Sequence, residues 1–186
     1  FFFVDNIFNI PSAYAKELCD AIVSAGLDID WQAIIYPTRV DEELAAKMAA
    51  AGCQMVSLGF ESANECVLSA LNKKFNSEDV RRCSEMFRQA KIFRMGFLLL
   101  GGPGETRQSV EESIAFAESL NLETVKLTAG IRIYPETPLA EIALEKGTIR
   151  PDADLLYPTF YLEPGLEGWL KETVDDLVAR KENWVT

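Results

Sequence analysis

Phe93-Arg94-Met95-Gly96-Phe97-Leu98-Leu99-Leu100, followed at once by Gly101-Gly102-Pro103-Gly104-Glu105-Thr106, decides how this chain folds. The first eight residues are almost continuously apolar, the length of one strand, and suit a parallel sheet covered on both faces. Thr106 then caps a helix that repeats Val110, Ile114, Ala117 and Leu120 at helical spacing. Strand, glycine-rich turn and helix together make half of a βαβ unit, and the same alternation runs outward in both directions. Upstream, Phe1–Val4 reads as a buried strand. Asn9 and Pro11 signal a helix through Ala15, Leu18, Cys19, Ile22 and Val23 that stops at Gly26. Trp31–Ile35 and Met55–Phe60 read as strands, separated by a helix that Asp41 caps and Gly52 ends. A short helix from Asn64 and a longer one from Ser77 follow, the latter with Val80, Cys83, Phe87 and Ala90 on one face. Downstream, Thr124–Leu127 begins a fifth strand and Pro138–Lys146 a short helix ending at Gly147. Pro151, Pro158, Pro164 and Gly165 then punctuate a loop-rich stretch before a last amphipathic helix with Leu170, Val174, Leu177 and Val178. Five strands alternating with helices imply an α/β fold with a parallel sheet, either doubly wound or a TIM-like barrel.

Composition narrows the function. The length of 186 residues suits one domain, and 48% hydrophobic with 25% charged residues excludes a disordered tail or a small disulfide scaffold. A net charge of −11 argues against nucleic-acid binding by this segment, which would need a cationic footprint. No apolar run approaches a membrane span, and no basic stretch precedes Phe1–Val4 as in a signal peptide, so a cytoplasmic location is expected. There is no histidine, which removes Ser-His-Asp, Cys-His and His-metal chemistry together. Cys19, Cys53, Cys66 and Cys83 are too scattered to form a zinc or self-contained iron–sulfur motif, so reduced, mostly buried thiols are expected and no metal ligand is assigned.

Ligands of parallel α/β folds sit beyond the carboxyl ends of the strands. Those ends read as Asp5-Asn6, Pro37-Thr38-Arg39, Gly59-Phe60-Glu61-Ser62, Gly101–Thr106 and Tyr134–Pro138. Glycines beside acidic groups allow the backbone to approach a ligand closely. The glycine-rich loop is not a nucleotide-triphosphate cradle: it lacks a G-K-[ST] ending, and Pro103 removes an N–H that such a cradle uses.

In order, FFFVDNIFN, W-x₇-RVDEEL, AGCQMVSLGFESAN, GFLLLGGPGET and IYPETPLAEIA resemble the radical S-adenosylmethionine superfamily. The pattern looks closest to its B12-binding branch, which includes anaerobic magnesium-protoporphyrin ester cyclase-like proteins. Ile34 stands where the coproporphyrinogen oxidase branch carries an acidic residue, which argues against that branch. The resemblance runs from Phe1 to about Gly147. It implies a partial (β/α)₆ radical-SAM barrel, residues 1–147, missing its first strand, with a loop-rich segment and C-terminal helix over residues 148–186. In the family a [4Fe–4S] cluster held by C-x₃-C-x₂-C reduces S-adenosylmethionine and releases a 5′-deoxyadenosyl radical. The resemblance places Asp5 and Asn6 near the methionyl amino group, Glu61 at the ribose and Lys73 at the methionyl carboxylate. It places Gly101, Gly102, Gly104 and Glu105 near the adenine; Arg39 and Ser62 complete the set of expected cofactor-binding residues. A carboxylate accepting two ribose hydroxyls and an ammonium facing a carboxylate are chemically apt.

The cluster motif itself is absent. The chain is therefore expected to be a fragment of a radical S-adenosylmethionine iron–sulfur oxidoreductase or transferase, inactive alone, with C-x₃-C-x₂-C about 40–60 residues upstream. Cobalamin in an upstream domain is the further cofactor the resemblance allows. The alternative is a non-catalytic α/β binding or scaffold module derived from the same barrel. A tRNA-modifying methylthiotransferase is disfavoured by the acidic charge. The small-molecule substrate is not legible. A cut before Phe1 would leave an unpaired strand edge at Phe1–Val4, so self-association there, or coverage by the C-terminal segment, is expected.

Overall fold

Apolar runs bounded by helix caps alternate with helices throughout the computed structural model, which describes residues 1–186. Helix α1 (Ser12–Ser24) precedes β1 (Trp31–Ile35), and α2 (Glu42–Ala50) leads into β2 (Cys53–Glu61). The short α3 (Glu65–Ala70) and α4 (Ser77–Gln89) connect to β3 (Phe93–Leu100), and α5 (Arg107–Ser119) connects to β4 (Thr124–Ala129). Then come β5 (Ile131–Arg132), α6 (Pro138–Glu145), β6 (Phe160–Tyr161), α7 (Glu167–Arg180) and β7 (Trp184–Val185). The caps are those the sequence marks. Asp41 accepts from the Leu44 N–H, while Asn76 with Asp79 and Thr106 with Ser109 form reciprocal capping boxes.

All pairings in the main sheet are parallel, in the order β1-β2-β3-β4-β7, and β5 and β6 form a separate antiparallel ribbon. This is the expected α/β architecture. The last strand is an addition that no periodicity could announce, being two residues long. It pairs Trp184 with Val125 and Val185 with Lys126. With Leu166, Leu170 and Val174, Trp184 joins the main core, so the stretch beyond Gly147 returns to the sheet.

The opening residues depart from expectation. Phe1–Val4 is not a buried strand: Phe1, Phe2 and Val4 are exposed, and only an isolated bridge joins Phe2 to Gln32. The backbone bonds Gln32 twice, through Phe1 and Phe3. It then swings away and rejoins β1 where the Phe8 N–H donates to the Ile34 carbonyl at 2.8 Å. The Phe3 and Phe8 rings hold this excursion against Trp31, with centroids 4.9 and 5.0 Å away. Nor does the C-terminal segment cover this edge, because β7 lies at the opposite edge of the sheet.

The two sheet faces differ. Along β3, Arg94, Gly96, Leu98 and Leu100 are buried, whereas Met95, Phe97 and Leu99 are only half-buried. The first set lies under the helices; the second lines a concave face. The apolar run that decides the fold is thus covered on one face and borders a cavity on the other, not covered on both. Arg94, the one charge in that run, is tucked under the helix side. Its guanidinium pairs with Glu123 and donates to Ser84 and the Leu120 and Asn121 carbonyls. No helix is long and apolar enough to cross a membrane.

Candidate functional site

At the carboxyl end of β2 the register against β3 shifts between Gly59 and Glu61, and Glu61 takes a positive φ of 61°. That conformation is rare for a residue with a side chain and costs about 1–3 kcal/mol, so the surroundings must enforce it. Lys73, just past α3, reaches back and donates to Glu61 Oε1 at 3.0 Å. The pair stays open to water, with side chains 18% and 28% exposed for Glu61 and Lys73. Glu61 also borders a cavity of about 270 Å³ on the concave face, lined with Phe2, Ile34, Ser57, Gly59 and Phe97. Glu61 thus stands on the rim of a weakly polar hollow, while Lys73, its partner, borders a separate surface hollow with Glu65, Phe75 and Asp79.

The end of β3 is built differently. Gly101 and Gly104 both have positive φ, and a Cβ on Gly101 would come within 2.2 Å of Leu162. Glu105 folds back under this loop, where its Oε2 accepts from the Gly101 and Gly102 N–H groups at 2.5 and 2.9 Å. It is 3% exposed, and its Oε1 has no partner. Burial raises its pKa, outweighing the opposing pull of the two N–H groups. From the far side Glu163 clamps the same loop. Its N–H donates to the Gly101 carbonyl at 2.8 Å, and its Oε2 accepts from the Gly104 N–H at 2.7 Å and the Tyr161 hydroxyl at 2.6 Å. Burial alone would raise the Glu163 pKa, but Lys146, Tyr161 and the Gly104 N–H together hold it below the usual value. No motif pointed to Glu163, which lies beyond the patterned part of the sequence.

Helix α1 starts just after Pro11, where the sequence signals it, but Asn9 does not cap it; buried, Asn9 instead braces the end of β1. Its Nδ2 donates to the Tyr36 and Arg39 carbonyls, and its Oδ1 accepts from the Tyr36 N–H, bracing the turn Pro37–Arg39. Asp5, Asn6 and Arg39 are exposed on this side, and their side chains form no hydrogen bond or ion pair with the Glu61–Lys73 pair. Ser62 is buried, its hydroxyl engaged with that of Ser113 on α5. Tyr134–Pro138 is not the end of β4, as expected. The chain turns at Gly130 into the β5–β6 ribbon first, and Tyr134 is exposed beneath the Arg132 guanidinium, 4.7 Å from its ring centroid.

Cys19, Cys53 and Cys83 are buried, and burial pushes their thiols up to about 11, 12 and 12 respectively; Cys66 is exposed. No group of three His, Cys, Asp or Glu residues could hold a metal ion. A [4Fe–4S] cluster needs converging thiolates, and these four thiols do not fit one.

A family model described as the radical SAM superfamily matches residues 9–117, more than half of the chain. The chain belongs to the radical SAM superfamily. Among curated relatives, an uncharacterized methyltransferase of Pyrococcus horikoshii is 30% identical over 142 residues, 76% of this chain and 31% of that protein. The anaerobic magnesium-protoporphyrin IX monomethyl ester cyclase of Rubrivivax gelatinosus is 26% identical, over 74% of this chain and 25% of its own length. The radical S-adenosylmethionine methyltransferase TsrM from Kitasatospora setae, solved with cobalamin and a [4Fe–4S] cluster bound, superposes with a TM-score of 0.81 at 26% identity. That match covers 99% of this chain and 44% of TsrM. TsrM with its tryptophan substrate and an S-adenosylmethionine analogue bound gives 0.78. This radical SAM chain thus spans a quarter to a third of the length of the two curated relatives.

Proposed function

We propose that this chain supplies the S-adenosylmethionine-contacting strand ends of a radical SAM enzyme of the oxidoreductase or transferase class, with methyl transfer the favoured reaction. The observation that carries this is Glu61 on the rim of a cavity, with Lys73 paired to it, in a fold shared with TsrM. Glu61 would accept the ribose hydroxyls, and Lys73 would turn from Glu61 to the methionyl carboxylate. Gly104, exposed and with open space where a side chain would stand, would meet the adenine, while buried Gly101 and Gly102, with Glu105 and Ser62, hold the loops behind it. Asp5, Asn6 and Arg39 supply polar groups at the adjoining rim. Bound there, S-adenosylmethionine supplies a sulfonium able to donate a methyl group or undergo reductive cleavage. A [4Fe–4S] cluster such as that of TsrM finds no ligand set among this chain's thiols and would be held by other parts of the enzyme. Four free cysteines agree with a reducing, cytoplasmic setting.

The test is calorimetric titration of S-adenosylmethionine into the full-length protein and its Glu61→Gln variant. Losing a charged hydrogen-bond acceptor should weaken binding about 10- to 100-fold. Equal affinity for the two proteins would overturn the assignment of Glu61.

A further inference from the structure

On strands β1–β4 three side chains carry charge: Glu61, Arg94 and Lys126. Two are matched. Glu61 meets Lys73 on the concave side, and Arg94 meets Glu123 under the helices. Lys126 has no carboxylate within ion-pair reach, although the chain carries 29 acidic residues against 18 basic ones. Its place in the sheet is fixed by its neighbours. Val125 and Leu127 on either side are buried beneath the helices, so Lys126 lies on the opposite, concave face. There it is half-buried, in register with Phe97 of β3 on one flank and Val185 of β7 on the other. Met95 and Leu99 extend this apolar surface along β3, and Thr124 and Thr128 sit two residues before and after Lys126 on the same face.

A half-buried lysine whose ammonium has no counter-charge within the sheet is free to pair with an oxyanion brought by a ligand. The two threonine hydroxyls, each about 7 Å along the strand, add donors for such a group. Phe97, Met95, Leu99 and Val185 suit an apolar body attached to it. We infer that Lys126 is the anchor for the substrate: a carboxylate or phosphonate carried on an aromatic or otherwise apolar skeleton, lying on the concave face beside the S-adenosylmethionine proposed at Glu61. The inference rests on that reading of the site, while the residue it names is separate from those assigned to S-adenosylmethionine.

Saturation-transfer NMR titrations of the full-length protein with phenylacetate, phenylphosphonate and the neutral phenylacetamide test it, alongside calorimetry with S-adenosylmethionine. The wild type should prefer the anions to the amide by about tenfold or more. Lys126→Met and Lys126→Gln should erase that preference, Lys126→Arg should keep most of it, and S-adenosylmethionine affinity should stay within about twofold throughout. Absence of an anion preference in the wild type, or its survival in Lys126→Met, would overturn the inference. So would a parallel loss of S-adenosylmethionine affinity in Lys126→Met, which would assign the ammonium to that ligand. If S-adenosylmethionine fails to bind the wild type while the anion preference depends on Lys126, the anion site stands and the reading at Glu61 falls.

Discussion

The carboxyl ends of β2 and β3 each present a glutamate beside glycine, yet the two are built for opposite ends. Glu61 stands on the cavity rim, half-hydrated, on a strained backbone, with Lys73 as a partner that can be exchanged. Glu105 is sealed beneath its loop, where one oxygen accepts from both the Gly101 and Gly102 N–H groups. The lesson is that an acidic residue at a strand end identifies a site only when its partner is replaceable. Glu105 shapes the backbone that a ligand would meet; Glu61 is positioned to meet the ligand itself.

Substitutions can break this contrast, starting with the largest effect. Glu105→Ala strips both glycine N–H groups of their acceptor and should destabilise the fold by about 3 kcal/mol, read in chemical denaturation. An unchanged midpoint would show that the loop does not depend on this carboxylate. Glu61→Gln should do the reverse: S-adenosylmethionine affinity should drop by about 2 kcal/mol while the same denaturation midpoint barely moves. If stability collapses instead, Glu61 is a second structural glutamate and the contrast fails.

The clamp from the other side sharpens the picture at a smaller scale. Glu163→Ala removes an acceptor that is partly replaceable by water, and should cost about 1 kcal/mol. Hydrogen exchange should quicken at Gly104 before it does in β3. The smallest effect lies in pH. Burial raises the Glu105 pKa in the folded state, so its contribution to stability is greatest when the carboxyl is protonated. That contribution declines as pH rises from the ordinary glutamate range through the folded value. Above about pH 4.5, Glu105→Gln should lose this decline relative to wild type. Parallel stability curves for the two proteins would place the carboxylate in an environment far wetter than its burial indicates.

Much of this was written locally. The caps Asp41, Asn76 and Thr106 act within three residues of themselves, so their helices could be read directly. Cys19 and Cys83 fall on apolar stripes and are buried accordingly. Asn9 and Pro11 do mark the start of α1, but Asn9 plays no capping part, because its amide bonds backbone 27 and 30 positions away. Tyr134–Pro138 seemed to end a strand because Gly130, the real turn, is followed by the short β-ribbon that displaces it. Glu61 and Lys73 were legible as separate polar groups, but not as each other's partner.

Periodicity and glycine placement were enough to determine an α/β fold with a parallel sheet, and the ordered strand-end motifs carried the resemblance to the radical SAM superfamily, because each depends on neighbours along the chain. Only the tertiary structure decided that β7 completes the sheet beside β4, that Glu163 grips a loop 59 positions before it, and that Lys126 lies between Phe97 and Val185 without a counter-charge. Those facts depend on which distant segments the packed core brings together. A buried polar group is satisfied by whatever lies closest in space, and the linear order of residues does not record that distance.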